Sequence, residues 1–247
     1  MVFFPVSSVL MSYRFLQMQK VDESYVTVRD VEVLWDHPAN TEKIIVEKLD
    51  DLPSRPGYEF VKRAFDLFAG IVLLVLLLLP MMIIGLAIRI SSRGGAIYRQ
   101  IRLGKNEVPF TMYKFRTMYS NAEEKGLQWA EENDERTTKI GKWLRTSRVD
   151  ELPQLLNIIL GHMSFVGPRP ERPEFYEVFD SYIDGFRQRM AVKPGFTGLA
   201  QVSGGYDLYP EEKIVFDLEY IKRRSVGMDL KCLLRTAQVV FGGHGAR

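Results

Sequence analysis

The 247-residue chain has one cysteine, Cys232, so it can close no internal disulfide, and a small secreted domain stapled by disulfides is excluded. Its three histidines, His37, His162 and His244, lie far apart, and no HExxH or paired Cys/His spacing occurs, so no zinc site is signalled. There is no GxxxxGK[ST] loop and no GxGxxG, hence neither a P-loop nor a dinucleotide fold. Asp-x-Asp is also missing, which counts against a metal-dependent nucleotide-sugar glycosyltransferase of the DxD type. Neither sign of charge dominates: 33 Lys and Arg face 31 Asp and Glu, a net charge of +2. That balance gives no reason to expect nucleic acid as a partner. At 26% charged and 12% aromatic residues the composition is that of a folded chain, long enough for one sizeable core.

What the chain has in excess is one apolar run. Leu67 to Ile88 reads "LFAGIVLLVLLLLPMMIIGLAI", with no charge between Asp66 and Arg89. As a helix it would be about 33 Å long, close to the hydrocarbon thickness of a bilayer. It starts too far into the chain to be a signal peptide. Pro80 lies inside it, where proline removes a backbone donor and bends or breaks a helix. Both flanks are basic: Lys62 and Arg63 before, Arg89, Arg93, Arg99 and Arg102 after. Basic flanks favour the cytoplasmic side. The residues alone leave two topologies open, a single span and a re-entrant hairpin turning at Pro80 with both ends inside.

Residues 1–57 read as a separate appendage of unassigned role, with strand-like alternation in "YVTVRDVEVLW" (Tyr25 to Trp35) and a linker in "DDLPSRPG". Residues 58–92 form the membrane segment, and residues 93–247 the catalytic domain. In the latter, Ala96 to Met118 has two strand-like runs around the turn "GKNE", a hairpin. Asn121 to Asp134 is polar. "KIGKWLRTS", "ELPQLLNIIL", "EEKIVFDLEYIKRR" and "DLKCLLRTAQVVF" have helical periodicity. The expected fold class is α+β and mostly helical, with one apolar membrane segment, a small β-hairpin and amphipathic helices.

The chemistry centres on "RVDELPQLLN" (Arg148 to Asn157), where Asp150 and Glu151 stand side by side. Locally the pair reads as a helix start, with Asp150 as N-cap and Pro153 in the first turn. Its surroundings suggest more. Arg145 and Arg148 precede it, and Arg169 follows between Pro168 and Pro170, which fix the backbone. Lys114 and Arg116 close the second hairpin strand at period two, on one face. Arg189 and Lys193 precede a glycine-rich loop. Several cations around two carboxylates, beside a membrane, suit a metal–diphosphate substrate and a lipid partner.

Seven motifs then occur in order: "KRAFDL", "YRQIRLG", "YKFRTM", "DELPQLLN", "GHMSFVGPRPE", "VKPGFTGLAQVSG" and "DLKCLLRTAQVVFGGHGAR". From about Tyr58 to Arg247 the chain resembles the bacterial sugar transferases, the polyprenyl-phosphate sugar-1-phosphate transferases. The resemblance implies transfer of sugar-1-phosphate from a UDP-sugar to polyprenyl (undecaprenyl) phosphate, with release of UMP. Such a step initiates polysaccharide or glycoconjugate assembly, and "GPRPERPEF" hints at exopolysaccharide systems. It implies Mg2+, a monotopic membrane protein with a re-entrant helix broken at Pro80 and amphipathic helices on the membrane surface, and an active site on the cytoplasmic face of the bacterial inner membrane. By position, Asp150 would be the nucleophile that forms a phosphosugar–enzyme intermediate, and Glu151, with Asp150, would hold the metal. Arg145 and Arg169 match basic positions near the site, while Lys114, Arg116 and Arg189 match positions for phosphate or lipid-phosphate contact. The chain departs from the pattern at Gly94-Gly95, where Gly-Pro is common, and at Leu156 and Leu199, where tryptophan is frequent. With one apolar segment it resembles the minimal catalytic form. Homo-oligomerisation is left open, and the contrasting reading is an inactive membrane-bound scaffold of the same fold.

Overall fold

A computed structural model describes residues 13–21, 25–33, 44–49, 52, 54–122, 134–204 and 208–241. The chain divides into two compact units, residues 1–42 with 120–136, and residues 43–119 with 137–247. In the first unit β1 (Tyr13–Val21) and β2 (Tyr25–Val33) pair antiparallel, Val21 opposite Tyr25. The strand expected from the alternation after Tyr25 is β2. Most of the polar stretch after Asn121, and the terminal "GAR", lie outside the described residues.

The second unit is mostly helical with small sheets. It begins with β3 (Ile44–Ile45) and then α1 (Pro56–Ser91), a helix of 36 residues. Residues 44–49 and Leu52, placed with the appendage on sequence, pack here: Val46 is buried in the main core and Leu49 and Leu52 lie against it. Pro56 in the first turn suits a helix start, and Glu59 and Arg89 suit the two ends of the helix dipole. Helix continues on both sides of Pro80, whose missing N–H leaves the Leu76 carbonyl without its usual donor. By length and apolar character α1 can be membrane-embedded: its most apolar window has a mean hydropathy of 3.1 and is 6% buried.

The few buried positions of α1 are contacts with the rest of the unit. Asp66 accepts hydrogen bonds from Ser164 Oγ (3.1 Å) and the Phe165 N–H (3.0 Å). Gly70 lies where a Cβ would come within 3.1 Å of Ile159, so a bare backbone permits the close approach. At the far end Ile88 is enclosed with Phe115 and Leu144, and Met81 and Ile84 pack on the same cluster. Both ends of the apolar helix are therefore held by one folded unit.

The expected hairpin forms from β4 (Ile97–Leu103) and β5 (Pro109–Phe115), with Leu103 opposite Pro109. Asn106 and Glu107 take positive φ in its turn. Next come α2 (Lys139–Thr146), α3 (Gln154–Leu160), β6 (Ser164–Val166), α4 (Pro173–Tyr182) and β7 (Ile183–Asp184). The chain ends with β8 (Gly195–Thr197), α5 (Leu199–Ser203), α6 (Pro210–Arg223) and α7 (Val226–Phe241). β3 pairs parallel with β7, and β6 parallel with β8. Along α6, Ile214, Leu218 and Ile221 face the core at helical spacing. On α7 buried Cys232 marks the inner face, while Val226, Leu230 and Leu234 form an exposed apolar row.

The start of α2 is stitched to the end of the hairpin. Thr138 accepts a cap bond from the Gly141 N–H (2.9 Å), and both its N–H and its hydroxyl donate to the Thr117 carbonyl. A Cβ on Gly141 would sit 1.9 Å from that carbonyl oxygen. Gly141→Ala is therefore expected to push α2 off Thr117 and lower stability by about 1–3 kcal/mol. A melting temperature equal to the parent's, measured in detergent, would contradict this.

Candidate active site

The acidic pair lies between α2 and α3 in a single tight turn, Val149–Glu151. Arg148 enters it in the left-handed region, φ 56°, a conformation that costs a residue with a Cβ about 1 kcal/mol. This reversal lets the chain double back after α2. The expectation that Asp150 caps the following helix fails, because the N-cap of α3 is Pro153. Had Asp150 been the cap, Pro153 would occupy the third helical position, where there is no N–H for the carboxylate to accept.

The two carboxylates have different surroundings. Glu151 is buried, and its Oε1 accepts hydrogen bonds from Lys114 Nζ (2.8 Å) and Arg169 Nη2 (2.5 Å). Burial alone would raise its pKa, but Arg169 and Lys114 outweigh burial and hold the carboxyl well below the usual range. Asp150 is 9% exposed, and among the described residues no group donates a hydrogen bond to it. Burial pushes its pKa up to about 6, opposed by Lys114, helped by Glu151, and opposed again by Arg169 and Arg145. The site thus holds one carboxylate locked between two cations and one that is nearly buried and uncommitted.

Each cation is aimed by its own element. Lys114 is on β5, which Asn157 ties to α3: its Nδ2 donates to the Thr111 carbonyl (2.7 Å) and its Oδ1 accepts from the Tyr113 N–H (3.1 Å). Arg169 is carried by the proline-stiffened loop, which Arg102 of β4 holds by donating to the Pro170 carbonyl (3.1 Å) and to Glu171 (3.3 Å). Arg145, on the last turn of α2, donates from Nε to Thr117 Oγ1 (3.0 Å). Val149 and Leu152, flanking the pair, pack on the cluster that includes Ile84 and Ile88 of α1.

Lys114, Arg145 and Arg169 are brought to Asp150 and Glu151; Arg116 and Arg189 are not. Arg116, two residues after Lys114, turns the other way and donates to the carbonyls of Ser92 and Arg93 (2.9 Å to Ser92) at the C-terminal end of α1. Arg189 is buried in an ion pair with Asp217, Nη2 to Oδ2 2.6 Å and Nε to Oδ2 2.9 Å. Asn157 was not singled out on sequence, and Arg102 was named only as a basic flank of the apolar run, although both stand in quoted motifs. Nothing in spacing distinguishes a residue that positions a site from its neighbours.

Among the described residues no group of three His, Cys, Asp or Glu forms a metal cluster. Two carboxylates suit a magnesium ion that takes its other ligands from phosphate and water, with Asp150 the less engaged of the two. Three cations and two carboxylates leave the site net positive, suited to a diphosphate.

Comparison with known proteins bears on the family of the chain. The family model described as "Bacterial sugar transferase" matches residues 57–243. An Aeromonas hydrophila protein named UDP-N-acetylgalactosamine-undecaprenyl-phosphate N-acetylgalactosaminephosphotransferase is 39% identical over 199 residues, 79% of this chain and 47% of that protein. An Escherichia coli K12 protein named UDP-glucose:undecaprenyl-phosphate glucose-1-phosphate transferase is 37% identical over 211 residues, 80% of this chain and 45% of that protein. A Caulobacter vibrioides protein of the same name is 36% identical over 212 residues, 82% of this chain and 79% of that protein. The chain spans about half the length of the first two. A family match that covers the apolar helix, the hairpin and the acidic turn together, with relatives at this identity, leads to one conclusion: the chain belongs to the bacterial sugar transferase family.

Proposed function

We propose that the protein transfers sugar-1-phosphate from a UDP-sugar to undecaprenyl phosphate. The observation that carries this reading is the contrast within the acidic pair: Glu151 is locked by Lys114 and Arg169, while Asp150 accepts no hydrogen bond among the described residues. A carboxylate kept nearly dry and unpaired keeps its lone pairs available for attack. In the first step an Asp150 carboxylate oxygen attacks the phosphorus next to the sugar. A bond forms from Asp150 to phosphorus, the phosphoanhydride breaks, and UMP departs with the electron pair. In the second step an oxygen of the lipid phosphate attacks the same phosphorus. The acyl phosphate bond breaks, Asp150 is restored, and a polyprenyl diphosphate sugar leaves. Lys114, Arg145 and Arg169 bind the phosphate oxygens and keep them oriented. Magnesium, held by Asp150 and Glu151, would neutralise charge on the diphosphate.

The re-entrant topology belongs to the same reading. It is supported by the anchoring of both ends of α1 to one unit, Asp66 to Ser164 and Phe165, Ile88 to Phe115 and Leu144. A plain span would carry those ends to opposite faces of the bilayer. The basic flanks support an active site at the cytoplasmic face of the inner membrane in this reading. The exposed row on α7 would rest on the same surface.

The test is a panel of UDP-sugars with undecaprenyl phosphate and Mg2+, scored by UMP release. One sugar, turned over only with lipid phosphate and metal together, is the expected result. No release from any of them would instead favour the inactive scaffold.

A further inference from the structure

A cleft lies away from the acidic pair, at the other end of α3. It encloses about 270 Å³ and is lined by residues from the start of α1, from the hairpin turn, and from the segment before β8. Its charged lining is mostly basic: Lys62, Arg63, Lys105, Lys193 and Arg224, against Glu59 and Asp66. Some of this charge is accounted for. Lys62 pairs with Asp229 (2.8 Å), and Asp66 is engaged by Ser164 and Phe165. Arg63 donates to the Ile158 and Ile159 carbonyls (2.7 Å each), capping the C-terminal end of α3 without meeting a carboxylate. The side chains of Lys105 and Lys193 have no hydrogen-bond or ion-pair partner among the described residues. The Arg63 guanidinium and the Lys193 ammonium converge: both lie within 3.5 Å of the point a Cβ on Gly161 would occupy. Burial and the neighbouring Arg63 pull the Lys193 ammonium down, against the opposing effect of Asp66.

The position of the cleft says what kind of anion would complete it. Arg63 and Asp66 directly precede Leu67, where the apolar face of α1 begins, and Phe60 and Phe68 beside them are exposed. This is the level of lipid headgroups if α1 enters the bilayer as proposed above. The seven residues of α3, about 10 Å of helix, separate the cleft from the turn that carries Asp150. A phosphate held by Arg63 and Lys193 therefore cannot react at Asp150. We infer that this cleft is a structural site for the phosphate headgroup of a bilayer phospholipid, distinct from the acceptor lipid, with its acyl chains along α1. The inference rests on the membrane placement of α1 and not on the transfer reaction.

The test uses the full chain, extracted in detergent and exchanged into zwitterionic nanodiscs containing a small fraction of phosphatidylglycerol. Phosphatidylglycerol retained per protein is counted by native mass spectrometry. Lys105→Gln with Lys193→Gln is compared with the parent and with Lys48→Gln plus Lys139→Gln, which remove the same charge elsewhere. The parent and the control pair should retain one phosphatidylglycerol. The cleft pair should hold it about 30-fold more weakly, since each basic residue near an anionic surface is worth about fivefold. Equal retention in all three proteins overturns the proposal. So does displacement of the lipid by inorganic phosphate, which would make the cleft a site for free anions, or displacement by undecaprenyl phosphate with a raised KM for it in the cleft pair. UMP release is measured on the same preparations: lipid retained by a protein that releases no UMP would count against the transfer reaction and leave this site standing.

Discussion

Asp150→Asn should fold and associate with membranes like the parent, yet release no UMP and trap no phosphosugar adduct. The expected loss is at least about 10^4-fold in kcat, the scale seen when a covalent nucleophile is removed and only binding remains. The amide has the same shape, so lost packing cannot explain the loss. Stability should move the other way. A carboxyl whose pKa is raised in the folded state destabilises the fold at pH values above that pKa. The penalty is full above about 6, fades below it as the group takes up its proton, and is gone near the ordinary aspartate value of 3.8. Removing the charge at neutral pH should therefore raise stability by about 1–3 kcal/mol. In the parent, kcat/KM without added metal excess should decline below pH 6 for the same reason, because the protonated carboxyl does not attack. Turnover near the parent's in Asp150→Asn would remove the nucleophile assignment.

The second large effect concerns a residue whose motif position suggested phosphate contact. Arg189→Met should cost about 3–5 kcal/mol, because it strands Asp217 as a buried charge with no partner. The melting temperature should drop steeply, while KM for the UDP-sugar in whatever protein survives stays near the parent's. Replacing both members, Arg189→Met with Asp217→Leu, should recover much of the loss, since no unpaired charge remains. A variant that melts like the parent but shows a raised KM would return Arg189 to the substrate.

These two arginine-and-carboxylate stories show what could be read before any coordinates. Asp150 and Glu151 were singled out chiefly through the ordered motifs, which supplied a reaction; locally the pair reads as a helix start. The long apolar run and the hairpin around "GKNE" were legible because each carries its own period and length. Arg116 and Arg189 were not, because a motif marks that a basic residue is required and not what it meets. Arg116 caps α1 and Arg189 neutralises Asp217, and both partners lie far off in sequence. The parallel pairs β3–β7 and β6–β8 were invisible for a related reason: two or three residues cannot display a period of two, and their pairing is decided by the packing around them.

The anchoring of α1 bears on how such a protein can be handled at the bench. A fragment cut after Ser92 would not be a soluble enzyme relieved of its tail. It would bare Phe115 and Leu144, which Ile88 encloses, directly beneath the turn that presents Asp150. It would also leave the last carbonyls of α3 without Arg63 and the Phe165 N–H without Asp66. For this chain the long apolar helix is also a packing partner of the folded unit, and removing it would unsettle the turn that carries Asp150.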